Sequence, residues 1–248
     1  MGSVVNTSSQ AIRNSTIKYA RATLGFFDLT SKMTIRGALA SLLLYAGMTA
    51  GAHAAMAIPC DDASTSAHLK GTLCAIEHVT RPSGGDVGLF VRTFPALGTR
   101  RGAVWLVAGG PGESSASFYG LAARLRATFP GYDLVIPDHR GTGLSTRMCP
   151  QEESPTSPGG TTLENAEWGT CLGSLNAKPT LARQFSETEA AVDLKTLLAR
   201  APHRGKTFVY GVSYGTGLVL RTLALDTPGI DGVILDSVPP NLRKINRN

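Results

Sequence analysis

The chain has 248 residues, of which 42% are hydrophobic and 17% charged, and its formal net charge is +6. These fractions are ordinary for a globular protein and exclude a chain that is disordered along its whole length. The first 54 residues contain five basic side chains and one acidic side chain, which leaves 19 basic against 17 acidic in the rest. A body with a charge of only +2 argues against nucleic acid as a partner.

The N-terminal segment has the layout of a secretory signal. Arg36 precedes a continuous apolar run, which ends at the small residues Ala52–Ala54. A basic start, an apolar core and a small-residue cleavage site are the parts of a signal peptide. We therefore predict a leader over residues 1–54, with the signal at 33–54, and a periplasmic or extracellular mature chain with no stable membrane partner. An uncleaved anchor over residues 35–57 is the alternative, because the run approaches bilayer-spanning length.

All four cysteines follow this segment: Cys60, Cys74, Cys149 and Cys171. An even number in an exported chain indicates disulfides, and four cysteines allow three connectivities. The simplest pairs Cys60 with Cys74 and Cys149 with Cys171. None lies in a C-x-x-C motif, so we expect neither zinc nor thioredoxin-like chemistry. Free buried thiols are the alternative for a chain that stays in a reducing cytosol.

Residues 68–97 contain two half-alternating runs around the turn sequence RPSGGD, which predicts an antiparallel hairpin. Beyond it, short apolar runs alternate with segments of helical periodicity. Buried strands are predicted in GAVWLV, YDLVIP, KTFVYG and GVILDSV, and helices in SASFYGLAARLRATF, SETEAAVDLKTLLARA and TGLVLRTLALDT. Ser186 and Glu189 form a capping box, ahead of one apolar helix face. That face carries Ala190, Leu194, Leu197 and Leu198.

The order of these elements predicts the fold class. Strands that are continuous apolar runs, alternating with helices, are typical of an α/β protein with a mostly parallel sheet and helices on both faces. Residues 150–180, rich in Pro, Gly, Ser and Thr, are predicted to be a long excursion from this pattern.

The sequence GVSYG at Gly211–Gly215 matches G-x-S-x-G and lies between a predicted strand and a predicted helix. A strand that reverses into a helix over one residue forces the serine into a strained conformation. Side chains at Gly211 and Gly215 would collide in such a turn. We interpret Ser213 as a nucleophile exposed at the helix N-terminus. The alternative is a glycine-lined crossing in which Ser213 only caps the helix.

The sequence AGGPGES, Ala108 to Ser114, follows the first buried strand. Its glycines allow backbone N–H groups to face a site without side chains in the way. We expect the N–H groups of Tyr214 and Gly110, or Gly109 in place of Gly110, to form an oxyanion hole. A simple tight turn is the alternative.

The sequence PDHRGTGLS, Pro137 to Ser145, follows the next strand. We interpret Asp138 and Arg140 as a charged pair that supports the active-site face. His139 is not expected to serve as the base for Ser213, because its loop follows an earlier strand and a base must come within hydrogen-bond reach.

In this order, GGPGES, DHRGTGLS and YGVSYGT resemble the α/β-hydrolase family, in the branch of proline iminopeptidases and secreted bacterial tripeptidyl aminopeptidases. The resemblance runs from about Cys60 to Pro240. It implies the α/β-hydrolase fold, Ser213 as nucleophile, and Gly110 and Tyr214 as oxyanion donors. It also implies hydrolysis of a peptide or a small ester, foremost the release of short N-terminal units from peptides. No metal and no cofactor are implied, and one departure is Ala108, where proline iminopeptidases carry histidine.

A second departure follows Ser213. Family members carry the nucleophile, then an acid, then a histidine, whereas all five histidines of this chain precede Ser213. Of the three acids after Ser213, Asp236 ends the last predicted strand, where some hydrolases of this fold place the catalytic acid, and it is interpreted instead as a strand cap. The lid and last strands expected in the family are also missing, so residues 55–248 are predicted to be the N-terminal part of a hydrolase domain, truncated and weakly active or inactive. An esterase or lipase of the same fold and a non-catalytic hydrolase-like fragment are the alternatives, and the oligomeric state stays open.

Overall fold

The computed structural model describes residues 55–62, 66–80, 86–202 and 204–239. The predicted leader lies outside these ranges, as do most of the residues assigned to the alternative membrane anchor. Within the described ranges, no helix combines the length and the apolar character that crossing a bilayer requires.

The described strands form one sheet in the order β1-β2-β3-β5-β4-β6-β7. They are β1 (Ile58–Pro59), β2 (Leu73–Thr80), β3 (Asp86–Phe94), β4 (Gly102–Val107), β5 (Tyr132–Pro137), β6 (Lys206–Val212) and β7 (Gly232–Asp236). The pairings β1–β2, β2–β3 and β3–β5 are antiparallel, and the pairings β5–β4, β4–β6 and β6–β7 are parallel. The sheet is therefore mixed: the predicted hairpin, β2 and β3, joins the parallel strands at β5 and contributes the antiparallel part.

The described helices are α1 (Ala122–Thr128), α2 (Ala166–Ala177), α3 (Pro179–Gln184), α4 (Glu187–Arg200) and α5 (Tyr214–Leu223), with short 3₁₀ helices at Ala67–Leu69 and Ser115–Leu121. The first predicted helix is thus divided into a 3₁₀ segment and α1. The predicted excursion over residues 150–180 is wrong in part, because it contains α2 and the start of α3. Helix α2 buries only Cys171 and so lacks the apolar stripe that periodicity detects.

Helices cover both faces of the sheet, which confirms the predicted fold class. All six residues of β4 are buried, and successive side chains enter opposite layers because a strand alternates its faces. Trp105 and Val107 pack in the layer of α4 and α5. Val104 and Leu106 pack in the layer of the 3₁₀ helix and α1. This two-layer burial fixes β4 and its carboxyl-terminal loop at the centre of the fold.

Helix α4 begins where its sequence predicts. The Ser186 hydroxyl accepts a hydrogen bond from the Glu189 N–H at 3.3 Å, which satisfies one of the free donors of the first turn. The four residues predicted to share its apolar face are all buried: Ala190, Leu194, Leu197 and Leu198.

Two disulfides are formed, between Cys60 and Cys74 and between Cys149 and Cys171, so the simplest connectivity is confirmed. The first joins the segment after β1 to β2, and the second joins the loop region after β5 to α2. Structural disulfides are typical of proteins that work in oxidising, exported environments.

Candidate active site

Ser213 lies at the turn between β6 and α5, at the carboxyl edge of the parallel strands. Its φ and ψ are 50° and −119°, a conformation that non-glycine residues rarely adopt and that costs about 1–3 kcal/mol. The Ser213 N–H donates to the carbonyl oxygen of Asp236 at 2.9 Å, which ties the turn to the end of β7. The side chain is half-buried. Although Ser213 takes the N-cap position of α5, its hydroxyl makes no capping hydrogen bond.

Gly211 and Gly215 are in close contact across this turn. A Cβ atom on Gly211 would lie 2.7 Å from the carbonyl oxygen of Gly215. A Cβ atom on Gly215 would lie 2.5 Å from the carbonyl oxygens of both Val107 and Ala108. These are distances that real Cβ atoms do not adopt, so any larger residue at either position would displace backbone from β4 or α5.

The glycine-rich loop after β4 runs beside Ser213, because β4 and β6 are adjacent parallel strands in which Val107 pairs with Gly211. A Cβ atom on Gly109 would be 3.2 Å from Ser213 Cβ. Gly110 has φ +106°, and a Cβ there would be 2.7 Å from the backbone nitrogens of the two residues after Pro111. The structure thus places Gly109 directly against the serine, and Gly110 at the sharp turn that follows.

Asp138 connects this glycine-rich loop to the loop after β5. Its side chain is 2% exposed. Oδ1 accepts from the Ser115 N–H at 2.7 Å and from the Ser114 hydroxyl at 3.2 Å, while Oδ2 accepts from the Leu144 N–H at 2.9 Å. A Cβ on Gly143 would lie 1.8 Å from Oδ2, so the turn must wrap closely around the carboxylate. Asp138 therefore fixes both loops relative to each other.

The predicted charged pair of Asp138 with Arg140 is wrong. The guanidinium of Arg140 instead binds both carboxylate oxygens of Asp193, in α4, at 2.6 and 2.7 Å. The carboxylate oxygens of Asp138 accept hydrogen bonds from N–H and hydroxyl donors of the two loops. Residues two apart in this loop thus point to different elements, which sequence spacing did not reveal.

His139 lies beside Tyr214, although its loop follows an earlier strand. Its ring centroid is 6.1 Å from that of Tyr214, the residue that follows Ser213. Burial lowers the pKa of His139 below its usual value of 6.5, while Asp138 and Asp193 act in the opposite direction. The lowered pKa favours the neutral imidazole, whose ring lies next to the residue that follows Ser213.

Asp236 is engaged at the end of β7. The Tyr210 hydroxyl donates to its Oδ2 at 2.6 Å, and the Ser237 hydroxyl donates to its Oδ1 at 3.0 Å. These two hydrogen bonds lower the pKa of Asp236. Burial, reinforced by the carboxylate, raises the pKa of Tyr210 to about 12. Asp236 thus acts on the turn in two ways, through its backbone carbonyl to Ser213 and through its side chain to Tyr210.

The site as described consists of a strained serine, two glycines that permit its turn, and a glycine-rich loop alongside. Within the described residues, no three His, Cys, Asp or Glu side chains come together as a metal site would require. Neither the bridging role of Asp138 nor the approach of the Glu113 carboxylate to the same loop was predicted from the sequence. The sequence features that could have pointed to these two residues were the charged side chains in DHRGTGLS and the acid that ends GGPGE.

Comparison with known proteins agrees with the fold. A sequence profile described as the alpha/beta hydrolase fold matches residues 102–247. No curated protein sequence matches the chain significantly.

Solved structures of similar fold include three hydrolases. A thermostable carboxyl esterase from Bacillus coagulans is 17% identical, with 65% of this chain and 43% of that chain covered and a TM-score of 0.42. An alpha/beta hydrolase from Novosphingobium aromaticivorans is 20% identical, with 67% and 45% covered and a TM-score of 0.42. A thioesterase domain from the curacin biosynthetic pathway is 15% identical, with 64% and 43% covered and a TM-score of 0.40. This chain spans less than half the length of each of these structures.

Proposed function

Because the chain belongs to the α/β-hydrolase family, we propose that it is a serine hydrolase with Ser213 as its nucleophile. One observation carries the proposal: Ser213 has a positive φ between β6 and α5, its hydroxyl makes no capping hydrogen bond, and Gly109 is packed against its Cβ atom. A serine that served only as a helix cap would use its oxygen to accept an N–H of the first turn.

The proposed reaction begins when Ser213 Oγ attacks a carbonyl carbon. The serine proton passes to a base, and the carbonyl oxygen becomes an oxyanion. The N–H of Tyr214 lies in the first turn of α5, where the helix dipole favours negative charge. The second donor is the N–H of Gly110 or of Gly109. Loss of one such donor typically lowers the rate 10²–10³-fold. Collapse of the intermediate expels an amine or alcohol as the base returns the proton to the leaving group, and it leaves an acyl-enzyme. Water then hydrolyses this ester, which releases the acid and restores the Ser213 hydroxyl.

The proposed substrate is a peptide, from which the enzyme releases short N-terminal units in the manner of the aminopeptidase branch. Support comes from the three motifs GGPGES, DHRGTGLS and YGVSYGT, which the fold brings to one edge of the sheet. The proposed location is outside the cytosol, supported by the two disulfides. An esterase acting on small esters would use the same nucleophile and donors, and the choice of substrate decides between them.

Labelling with a neutral alkyl fluorophosphonate tests the nucleophile, because this probe phosphonylates only activated serines. We expect one labelled site in the full chain, lost in Ser213→Ala and retained in Ser117→Ala, whose serine is exposed on the 3₁₀ helix. A folded wild-type chain that takes no label would overturn the proposal, as would labelling that persists in Ser213→Ala. Turnover of an aminoacyl anilide supports the peptidase assignment, whereas turnover of a nitrophenyl ester alone supports the esterase.

A further inference from the structure

The carboxylate of Glu113 lies next to the nucleophile. A Cβ on Gly109 would be 3.2 Å from Ser213 Cβ and 3.4 Å from Glu113 Oε2. Ser213 Cβ and Glu113 Oε2 therefore lie next to the same glycine. The distance between these two atoms cannot exceed the sum of the two distances. The loop brings them together by doubling back at Gly110, where a Cβ would also contact Glu113 Cβ at 3.3 Å.

This carboxylate is exposed, and within the described residues it makes no hydrogen bond or ion pair. Other acids around the serine are engaged: Asp138 by backbone N–H groups, Asp236 by Tyr210, and Glu187 by Arg221 at 3.3 Å. Glu113 is thus the acid beside the nucleophile whose charge stays available to a ligand.

An unpaired carboxylate in this position affects the reaction itself. The tetrahedral intermediate places a negative oxygen within a few ångströms of Ser213, and two like charges at such a distance repel each other. A substrate with a cation near the scissile carbonyl removes this repulsion and adds an attraction to Oε2. A neutral substrate of the same shape gains nothing, and an anionic substrate is opposed. The charge therefore discriminates in the transition state as well as in binding.

We propose that Glu113 is a specificity-determining residue that selects substrates carrying a positive charge close to the scissile carbonyl. The inference rests on the proposed role of Ser213. An α-ammonium fits this requirement, because it is separated from the carbonyl carbon by one carbon atom. An ammonium three residues away in an extended peptide would be about 10 Å distant, beyond the span between Glu113 and the serine. The favoured substrates therefore carry their cation on the residue that contains the scissile carbonyl, as a free α-amino group on that residue does.

A pair of probes that differ only in charge tests this inference. One is a fluorophosphonate ester of choline, which carries a fixed trimethylammonium group, and the other is its uncharged 3,3-dimethylbutyl isostere. We expect wild-type Ser213 to react faster with the cationic probe, and the ratio of the two rate constants to fall about tenfold in Glu113→Gln. The ratio in the wild type should also decline as salt is added, because the carboxylate is exposed.

The control is Asp61→Asn. Asp61 is also exposed, but it follows β1, and four strands separate β1 from β6. We expect this variant to keep the wild-type ratio. The uncharged probe should label Glu113→Gln at least as fast as the wild type, which shows that the variant is folded and that Ser213 is active.

The outcomes separate the two proposals. If both probes label Ser213 and their ratio is the same in Glu113→Gln as in the wild type, the role of Glu113 is overturned while the nucleophile stands. If neither probe labels the wild-type chain, the hydrolase assignment fails and the role of Glu113 fails with it. A fall in the ratio that also occurs in Asp61→Asn would show a nonspecific effect of net charge and overturn the inference.

Discussion

Arg140 and Asp193 form a two-point ion pair inside the protein. The Nε–Oδ2 and Nη2–Oδ1 distances are 2.6 and 2.7 Å, and each side chain is 2% exposed. Arg140 belongs to the loop that carries His139, and Asp193 lies in the middle of α4. The pair therefore joins the loop after β5 to α4, in the helix layer that covers one face of the sheet.

Removal of Asp193 should be destabilising, because the buried Arg140 guanidinium loses its two-point partner and keeps the Glu189 carboxylate, 3.9 Å from its Nη1, as a weaker counterion. We expect Asp193→Ala to lower the free energy of unfolding by up to about 3–5 kcal/mol, as measured by urea denaturation. Glu187→Gln is the control. It removes a pair with Arg221 whose side chains are 29% and 47% exposed, and it should cost less than about 1 kcal/mol.

A double variant separates charge burial from packing. Arg140→Met with Asp193→Leu replaces both charges by apolar side chains of similar size, and such replacements are often neutral or stabilising. We expect this variant to be more stable than Asp193→Ala. A loss below about 1 kcal/mol in Asp193→Ala would contradict the assigned importance of the pair.

The sequence predicts the layered architecture because the core strands are unusually direct signals. Val104 to Val107 are buried on both faces, so the strand reads as an unbroken apolar run, and Ser186 marks the start of α4. Helix α2 was missed since it buries only Cys171 and presents no apolar stripe. Strand β1 has two residues and exists through pairing with β2, a neighbour that local sequence does not identify.

Part of the candidate site could likewise be predicted from the sequence, and part could not. The turn at Ser213 was predictable because its glycines are a local requirement of a strand that reverses into a helix. The partner of Arg140 was not predictable, since Asp193 is 53 positions away in sequence and is brought near only by the packing of α4. The approach of Glu113 to Ser213 likewise depends on β4 and β6 being adjacent in the sheet, which the chain order of the strands does not specify.

Alanine at Gly215 should impair both folding and labelling. Its Cβ would lie 2.5 Å from two carbonyl oxygens at the end of β4, and overpacking of this kind costs about 1–3 kcal/mol. Because the displaced residues, Val107 and Ala108, precede the proposed oxyanion loop, we also expect the rate of fluorophosphonate labelling to fall at least tenfold, which corresponds to about 1.4 kcal/mol.

Gly173→Ala is the matched control for this prediction. Gly173 is also helical, in α2, and a Cβ there would meet nothing within 4 Å. We expect Gly173→Ala to be neutral or to stabilise by up to about 1 kcal/mol, since alanine is the better helix former. Equal stability and equal labelling of Gly215→Ala and the wild type would contradict the close approach at this turn.

His139 should make stability depend on pH in a defined direction. Burial lowers its pKa below 6.5 in the folded chain, so the unfolded chain binds the proton more readily. Its contribution to stability is therefore fully present above pH 6.5 and is lost as pH falls through the lower pKa of the folded state. We expect the free energy of unfolding to decline between pH 7 and 5.5, by at most about 1.4 kcal/mol per pH unit for this one group.

His139→Asn should flatten the decline, whereas His68→Asn, which alters an exposed histidine, should retain it. A profile unchanged in His139→Asn would contradict the lowered pKa of His139 in the folded chain.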